Sequence, residues 1–503
     1  MRILLEVCRG LALLCIICAA PAAFACDQLP AGQSLWIRLT SPITTYTAKT
    51  GDPVHAVLTQ DLVCDNEILL PMGADIEGVV RSKRKVGWGI RHETAALELE
   101  FNQATASPDV NVAITARVEE VENARELVHN GVIQGIRSSN TFQGSINSRL
   151  IHLPTYNPYS DTVLIAYKAV FPIFPEPEIY YPSGTDIRLR TTTEISSQPV
   201  IANPPHESSL ATRQESDQID QLVGQLPWRV TTRDHVDADL LNVVFLGSQD
   251  EVQSAFRVAG WHNADPSSRQ TWMKNMYALL NNSGYAQQPM MTFLLNGKPQ
   301  DMSWQKNLNS YGRRDHLRIW HWTSAGSTDS VWISSSTRDT SAILSVKHKG
   351  FVHHIASDID DERSTVIRDL NFAGCVKSVS YVSRPQLPMT TRNATGDMMQ
   401  TDGSVAVITL QNCQATEPQL NSDSKNIFKP GNHVFRWVRR EILTFRSDIF
   451  RANIIYGAYD VGRMTVTAMR HPSTNPAITQ SKTGSRTQSP PPVSLSLNRL
   501  GTN

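Results

Sequence analysis

The chain has 503 residues, and its 47 lysines and arginines are balanced by 47 aspartates and glutamates. That balance excludes the basic excess on which electrostatic nucleic-acid binding depends, and the length suffices for two or three domains of roughly 100–200 residues. With 40% hydrophobic and 19% charged residues, the composition is that of a folded globular protein rather than a disordered or multispanning one.

Residues 1–25 read as a signal peptide. Arg2 and Arg9 supply a basic start, Leu11 to Ala20 is apolar, Pro21 breaks the run, and Ala23-Phe24-Ala25 has the form of a cleavage site. The apolar stretch falls short of the roughly 20 residues that a membrane-spanning helix needs. The expectation is export to the periplasm or cell envelope. Cleavage after Ala25 leaves Cys26 at the new N-terminus, where it is either acylated, as in a lipoprotein, or free to join a disulfide.

Of the seven cysteines, Cys8, Cys15 and Cys18 leave with the signal. Cys26, Cys64, Cys375 and Cys413 remain, and in an oxidising compartment they suggest disulfides. Cys375 opens the apolar run Val376 to Val382, and Cys413 follows another, Val405 to Leu410. If those runs pair antiparallel, the two sulfurs meet. Cys26–Cys64 then follows by elimination, unless Cys26 carries lipid. The sequence has no C-x-x-C, so zinc or thioredoxin-like chemistry has little support.

Residues 26–195 form a β-rich module. Runs such as Leu35 to Leu39 and Ala95 to Phe101 alternate apolar and polar residues between turn-forming clusters. Glu67 to Gly73 and Glu178 to Gly184 look alike, each an apolar strand ending in a Pro-x-Gly turn; duplication and convergent turn chemistry explain this equally well. The pattern from Gly51-Asp52 through Gly73 to Val80 resembles part of the TrbI-like β-barrel of conjugation and type IV secretion machines. That resemblance implies a small barrel or sandwich and no chemistry. Val163 to Phe174 is apolar but interrupted by Lys168 and Pro172, which suits packing or interfacial contact rather than a span.

Residues 196–220 read as a linker, 221–470 as a second domain, and 471–503, with the run Pro490-Pro491-Pro492, as a disordered tail. In chain order the second domain opens with a strand at Leu241 to Leu246. Ser248 to Glu251 has the form of a capping box, starting a helix that runs to about Gly260. A helix follows over Gln270 to Leu280, then strands at Met291 to Leu295, His316 to Trp322 and Val331 to Thr337. A helix over Asp360 to Leu370, the two cysteine-bounded strands and an amphipathic helix from Val434 to Ile455 complete it. The fold class expected is two-domain: a β-rich N-terminal barrel or sandwich plus an α+β C-terminal domain.

The second domain resembles the LssY C-terminal domain, a family of obscure function. The match rests on Asn242 to Ser248, Gly260-Trp261, Arg314 to Trp320, Trp332 to Asp339, His353-His354-Ile355, Asp361-Glu362-Arg363, Asn393 to Asp397 and Thr401-Asp402-Gly403. Some members join this domain to membrane phosphatase or DedA-like segments, so the resemblance implies an envelope or lipid context by association only.

Three polar sets could carry chemistry. His353 and His354 with Asp358, Asp360, Asp361, Glu362 and Arg363 could bind metal or transfer protons. On an extended strand, however, the two histidines face opposite ways, and the acids suit a helix N-terminus. In the second set, His316, Arg318, Trp320 and Trp322 share one strand face while Asp315, Leu317 and Ile319 share the other; Arg338 and Asp339 end a nearby strand. The third set is the segment Ser383 to Asp402, with Asn393 and Asp397, which is longer than a simple connection requires. Candidate catalytic residues are therefore His353, His354, Asp361 and Glu362, and candidate ligand-binding residues are His316, Arg318, Arg338, Asp339, Asn393 and Asp397.

No phosphate loop, nucleophile elbow or H-E-x-x-H motif occurs, and the sequence names no cofactor or metal. The leading expectation is a non-enzymatic envelope protein that binds a partner or a small anionic ligand. Its partner would be an envelope or membrane-associated protein, not nucleic acid, with membrane contact only through an acylated Cys26. The rival is a hydrolase for phosphate- or lipid-derived substrates.

Overall fold

The computed structural model describes residues 28–64, 67–137, 176–196, 213–323, 330–345 and 350–415, with isolated positions between 434 and 469. The signal segment with Cys26, the run Val163 to Phe174 and the tail from 471 lie outside the described residues.

Six strands close the N-terminal module into a barrel: β1 (Ser34–Leu39), β2 (Pro53–Leu58), β3 (Asp75–Arg84), β4 (Ala96–Ser107), β5 (Val110–Val121) and β6 (Asp186–Thr191). Their order is β4-β3-β2-β1-β6-β5, and β5 pairs again with β4, so the barrel has no free edge along this path. Every neighbouring pair in it is antiparallel. Period-two alternation decides which residues face inward: Leu35, Ile37 and Leu39 are buried, while Trp36 and Arg38 point out. The two Pro-x-Gly turns are built alike. Gly73 and Gly184 have φ of 88° and 87°, a region that L-residues with a Cβ resist, and each donates its N–H to a preceding strand, at Leu58 O and Leu39 O.

The second domain starts earlier than its composition suggests. Helix α1 (Arg213–Gln225) lies within and beyond the segment expected to be linker, and its Ile219 and Val223 are buried in the domain core. Polar residues misled here because α1 exposes most of its surface and buries only a narrow stripe. After α1 come β7 (Arg229–Thr231), β8 (Asp237–Leu240), β9 (Val243–Leu246), α2 (Gln249–Val258), β10 (His262–Asn263) and α3 (Arg269–Asn281). Then follow β11 (Leu294–Leu295), β12 (Lys298–Pro299), β13 (Met302–Lys306), β14 (Arg314–Trp322), β15 (Val331–Ser345) and β16 (Gly350–Ile355). Helix α4 (Ile359–Phe372), β17 (Val376–Ser383), β18 (Thr390–Arg392), β19 (Met398–Gln400) and β20 (Ser404–Leu410) complete the order.

The main sheet runs β10-β13-β14-β15-β9-β20-β17, with β16 paired to the far end of β15. On one face α2 and α4 bury Val252, Phe256, Val366 and Leu370 against Leu317, Ile319 and Ile408. On the other, α1 and the residues around β7, β8 and β11 cover Trp320, Ile333, Val405 and Val407. The expected capping box opens α2: Ser248 Oγ accepts from Glu251 N, and Glu251 returns to Ser248 N at 2.7 Å. Strands β17 and β20 are antiparallel, and Cys375 and Cys413 at their ends form a disulfide. Cys64 is disulfide-bonded as well.

The expected helix over Val434 to Ile455 falls largely outside the described residues. Its described positions sit on the barrel, not the second domain: Leu443 joins the barrel core, and Arg439 reaches Glu176 at 2.5 Å and Glu178 at 3.3 Å.

The two domains meet through charge. Arg38 on the outer face of β1 donates to Asp186 Oδ1 at 2.7 Å and Asp369 Oδ1 of α4 at 3.2 Å. Lys306 from β13 lies 2.5 Å from Asp186 and 2.7 Å from Asp369. Glu122, just beyond β5, accepts from Arg368 at 2.7 Å and Arg338 at 3.2 Å. Stacking backs these pairs, with the Arg368 guanidinium 3.8 Å from the Trp36 ring centroid and Arg38 4.9 Å from Phe372. Burial disfavours the charge on Asp186, but Arg38 and Lys306 outweigh it and hold the carboxyl far below its usual range.

Candidate functional site

Strand alternation sorts the polar residues into two places. On β14, Arg314, His316 and Arg318 share one face, and across the ladder stand Asp339, Thr337 and Ser335 of β15. Asp315 and Arg338, each one residue out of step, point the other way. There Arg338 Nε donates to Asp315 Oδ1 at 2.8 Å, against the barrel.

The first face holds a buried network centred on Asp339, whose side chain is 1% exposed. Arg314 Nε donates to Asp339 Oδ2 at 2.6 Å, and the Nδ1 atoms of His353 and His316 stand 3.2 Å and 3.7 Å from the same oxygen. The far sides of both rings are tied: His353 Nε2 lies 3.0 Å from the Gln288 side-chain amide, and His316 Nε2 lies 3.2 Å from Thr337 Oγ1. Burial lowers the pKa of both imidazoles, against the attraction of Asp339, so they are neutral near neutrality. Asp339 itself is held well below the usual carboxylate range; burial works against this, and the two histidines, protonated at the acid pH where Asp339 would titrate, prevail together with Arg314.

A second layer lies beside it. Arg318 donates to Met291 O at 3.0 Å, stacks on Phe293 at 4.3 Å, and lies 3.4 Å from Asp239 Oδ2. Asp239 in turn accepts from Asn393 Nδ2 at 3.3 Å. Asn393 Oδ1 and Asp397 Oδ2 share the Thr395 hydroxyl, and Asp397 Oδ1 lies 2.7 Å from His354 Nδ1. Burial raises the Asp239 pKa, and Arg318 only partly opposes this.

The sheet therefore brings together His316, Arg318, Asp339 and His353, and the hairpin formed by β18 and β19 adds Asn393 and Asp397, the latter against His354 of β16. Three expected members belong elsewhere. Glu362 is buried against Arg338 and the barrel, Asp361 is half-exposed beside Arg338 at 3.6 Å, and Arg338 faces the domain seam. Helix periodicity decides this: α4 crosses the opposite face of the sheet from the histidines. Asp358 serves as N-cap, accepting from Asp360 N and Asp361 N. Trp320, on the same strand face as His316 and Arg318, packs into the core.

Arg314, Asp239 and Gln288 belong to the network although none was a sequence candidate. Arg314 had a signal, since it precedes His316 by one strand period. Asp239 and Gln288 come from short strands and coil with no periodic cue.

The donor set argues against a cation at Asp339. The Arg314 guanidinium already occupies the oxygen that both histidines face, and among the described residues no group of three or more His, Cys, Asp or Glu side chains could hold a metal ion. Arginine, neutral imidazole and amide groups suit instead an anionic or hydrogen-bonding ligand.

The architecture is that of a two-domain protein, with a closed six-stranded barrel clamped to a mixed α+β domain whose central strands carry a buried Arg/His/Asp network. Residues 223–405 match the family model described as LssY C-terminus, so the second domain is LssY-like. That span takes in the whole network and leaves the barrel outside. No curated protein matches the chain. Among solved structures, ComB10 of the Com type IV secretion system of Helicobacter pylori is similar at 10% identity with a TM-score of 0.22, over 36% of this chain and 95% of that one. Among the described residues no helix is long and apolar enough to cross a membrane.

Proposed function

We propose that this is an exported cell-envelope protein whose LssY-like domain binds a small anionic ligand at the Arg318–His353 network. The observation that carries this reading is convergence: segments 314–318, 353–354 and 393–397, far apart in sequence, meet in two adjacent polar sets, one on Asp339 and one running from Arg318 through Asp239 to Asp397. Arg318 holds Asp239 at 3.4 Å, a loose pair that an anion of better geometry could replace. Export rests on the basic, apolar and Ala-x-Ala elements of residues 1–25. Binding is tested by calorimetric titration of the mature chain with inorganic phosphate and with acetate, beside Arg318→Gln and His353→Gln. Heat of binding to the parent that is lost in both variants supports the reading; none with either anion removes it.

A hydrolase is the second reading, favoured by one contact. Asp339 stands 3.2 Å from His353 Nδ1, the arrangement in which a carboxylate orients an imidazole as general base. Turnover of p-nitrophenyl phosphate or p-nitrophenyl acetate that disappears in His353→Gln would establish it.

A further inference from the structure

The part of the seam around Lys306 and Arg338 contains more acid than base, whereas Arg125 and Arg313 further along it serve Glu126. Glu122, Asp186, Asp315, Glu362 and Asp369 are each at most 3% exposed. The cations among them are Arg38, Lys306, Arg338 and Arg368, so one carboxylate lacks a full counter-charge.

Glu362 is that group. Among the described residues, neither of its oxygens accepts a hydrogen bond from an N–H or hydroxyl, and the cation beside it, Arg338 Nε, is 3.7 Å away and already bonded to Asp315 at 2.8 Å. Facing it are Asp315 from β14, Arg338 from β15 and Glu122 from the barrel. Lys306 of β13 and Arg368 of α4 stand on Glu122, and Glu120 and Asp361 lie at the rim of Arg338. Asp315 and Glu362 thus lie against the same Arg338 Nε, at 2.8 and 3.7 Å, so two buried carboxyls share one cation and a proton held by the pair relieves their repulsion.

We propose that the seam is a pH-gated lock: a proton shared by Glu362 and Asp315 closes the barrel onto the second domain, and its loss opens them. Burial, and then the charge of Asp315, hold the Glu362 carboxyl far above its usual range; burial, opposed by Arg338 and aided by Glu122, moves Asp315 up to about 6. The sign follows. When the seam opens, both groups regain water and return toward ordinary carboxyl values, so the closed state binds more protons. Closure is complete in acid and weakens as pH rises through the closed-state values. A protein outside the cytoplasm would experience such a change directly.

Hydrogen exchange on the full-length mature chain tests this, with rates corrected for intrinsic pH dependence. Amides of Glu122 to Glu126 and of Ile359 to Phe372 report the seam, and those of Gln249 to Val258 report the domain as a whole. We expect the seam's opening constant to rise up to about tenfold per pH unit, the slope of one proton, from about pH 4.5, where the opened carboxyls are ionised, until the closed pair gives up its proton, with α2 unchanged. Glu362→Gln keeps the shape without the charge and should flatten the slope. If that variant fails to fold, Asp315→Asn removes the other half of the pair and must flatten it likewise. A pH-independent seam in the parent chain, a variant retaining the full slope, or α2 opening in step with the seam would each overturn the proposal.

Discussion

Arg338 and Asp339 are consecutive on β15, yet one belongs to the domain seam and the other to the buried histidine network. Arg338 Nε lies 2.8 Å from Asp315 on the barrel side, and Asp339 Oδ2 lies 3.2 Å from His353 Nδ1 on the opposite side. A single strand thus forms the wall between the two charged regions. Their separate roles make separable predictions.

Arg338→Met strips Asp315, Glu122 and Glu362 of their shared cation. Glu122 keeps Arg368 and Lys306, but Asp315 and Glu362 lose the cation beside them, and breaking a buried pair in this way costs about 3–5 kcal/mol. Chemical denaturation should show this loss. Asp339→Asn, on the other face, should alter the histidine titrations while leaving exchange in the seam unchanged.

Burial keeps His316 and His353 neutral, so the folded state resists protonation that the unfolded chain accepts below about pH 6.5. Stability contributed by these groups is present above that value and declines as pH falls toward their lower folded values. The His316 resonances, followed by NMR, should therefore remain those of neutral imidazole at pH 6, and His353 should titrate below the ordinary histidine range. A His316 ring found protonated at pH 6 would contradict the burial argument.

Gly78 sits at a register shift between β3 and β4, and a Cβ there would come 2.6 Å from Glu100 O. The contact is with backbone, which cannot swing aside. Gly78→Ala should destabilise the barrel by roughly 1–3 kcal/mol, the usual cost of overpacking. Thermal unfolding of the variant measures it.

The Cys375–Cys413 bridge joins the ends of β17 and β20 across a sequence separation of 38. Replacing both by Ala should cost about 2–4 kcal/mol, chiefly through the freed unfolded chain. Ser248→Ala, which removes the cap of α2, should cost only about 1 kcal/mol. Denaturation midpoints of the two variants should rank in that order.

Much of this was legible beforehand because it depends on local periodicity. Alternation at Leu35 to Leu39 and His316 to Trp322 assigned strand faces, Ser248 and Glu251 marked the start of α2, and two cysteines at opposite ends of adjacent apolar runs predicted their bridge. Local signals failed where burial is sparse. Helix α1 reads as polar linker because few of its side chains face the core, and β11 is shorter than its apolar run because only Leu294 and Leu295 find partners in the ladder.

By itself, the sequence determined the β-rich and α+β division, the LssY-like motifs and the separation of neighbouring side chains onto opposite strand faces. These follow from backbone geometry, which repeats every two residues in a strand and about 3.6 in a helix. Only the tertiary structure decided what each face meets. It sent Glu362 to the barrel and His353 to Asp339, although nine residues separate the two, because α4 packs on the opposite side of the sheet from the histidines. Partners of buried charges are set by which elements pack together, and no local period encodes that.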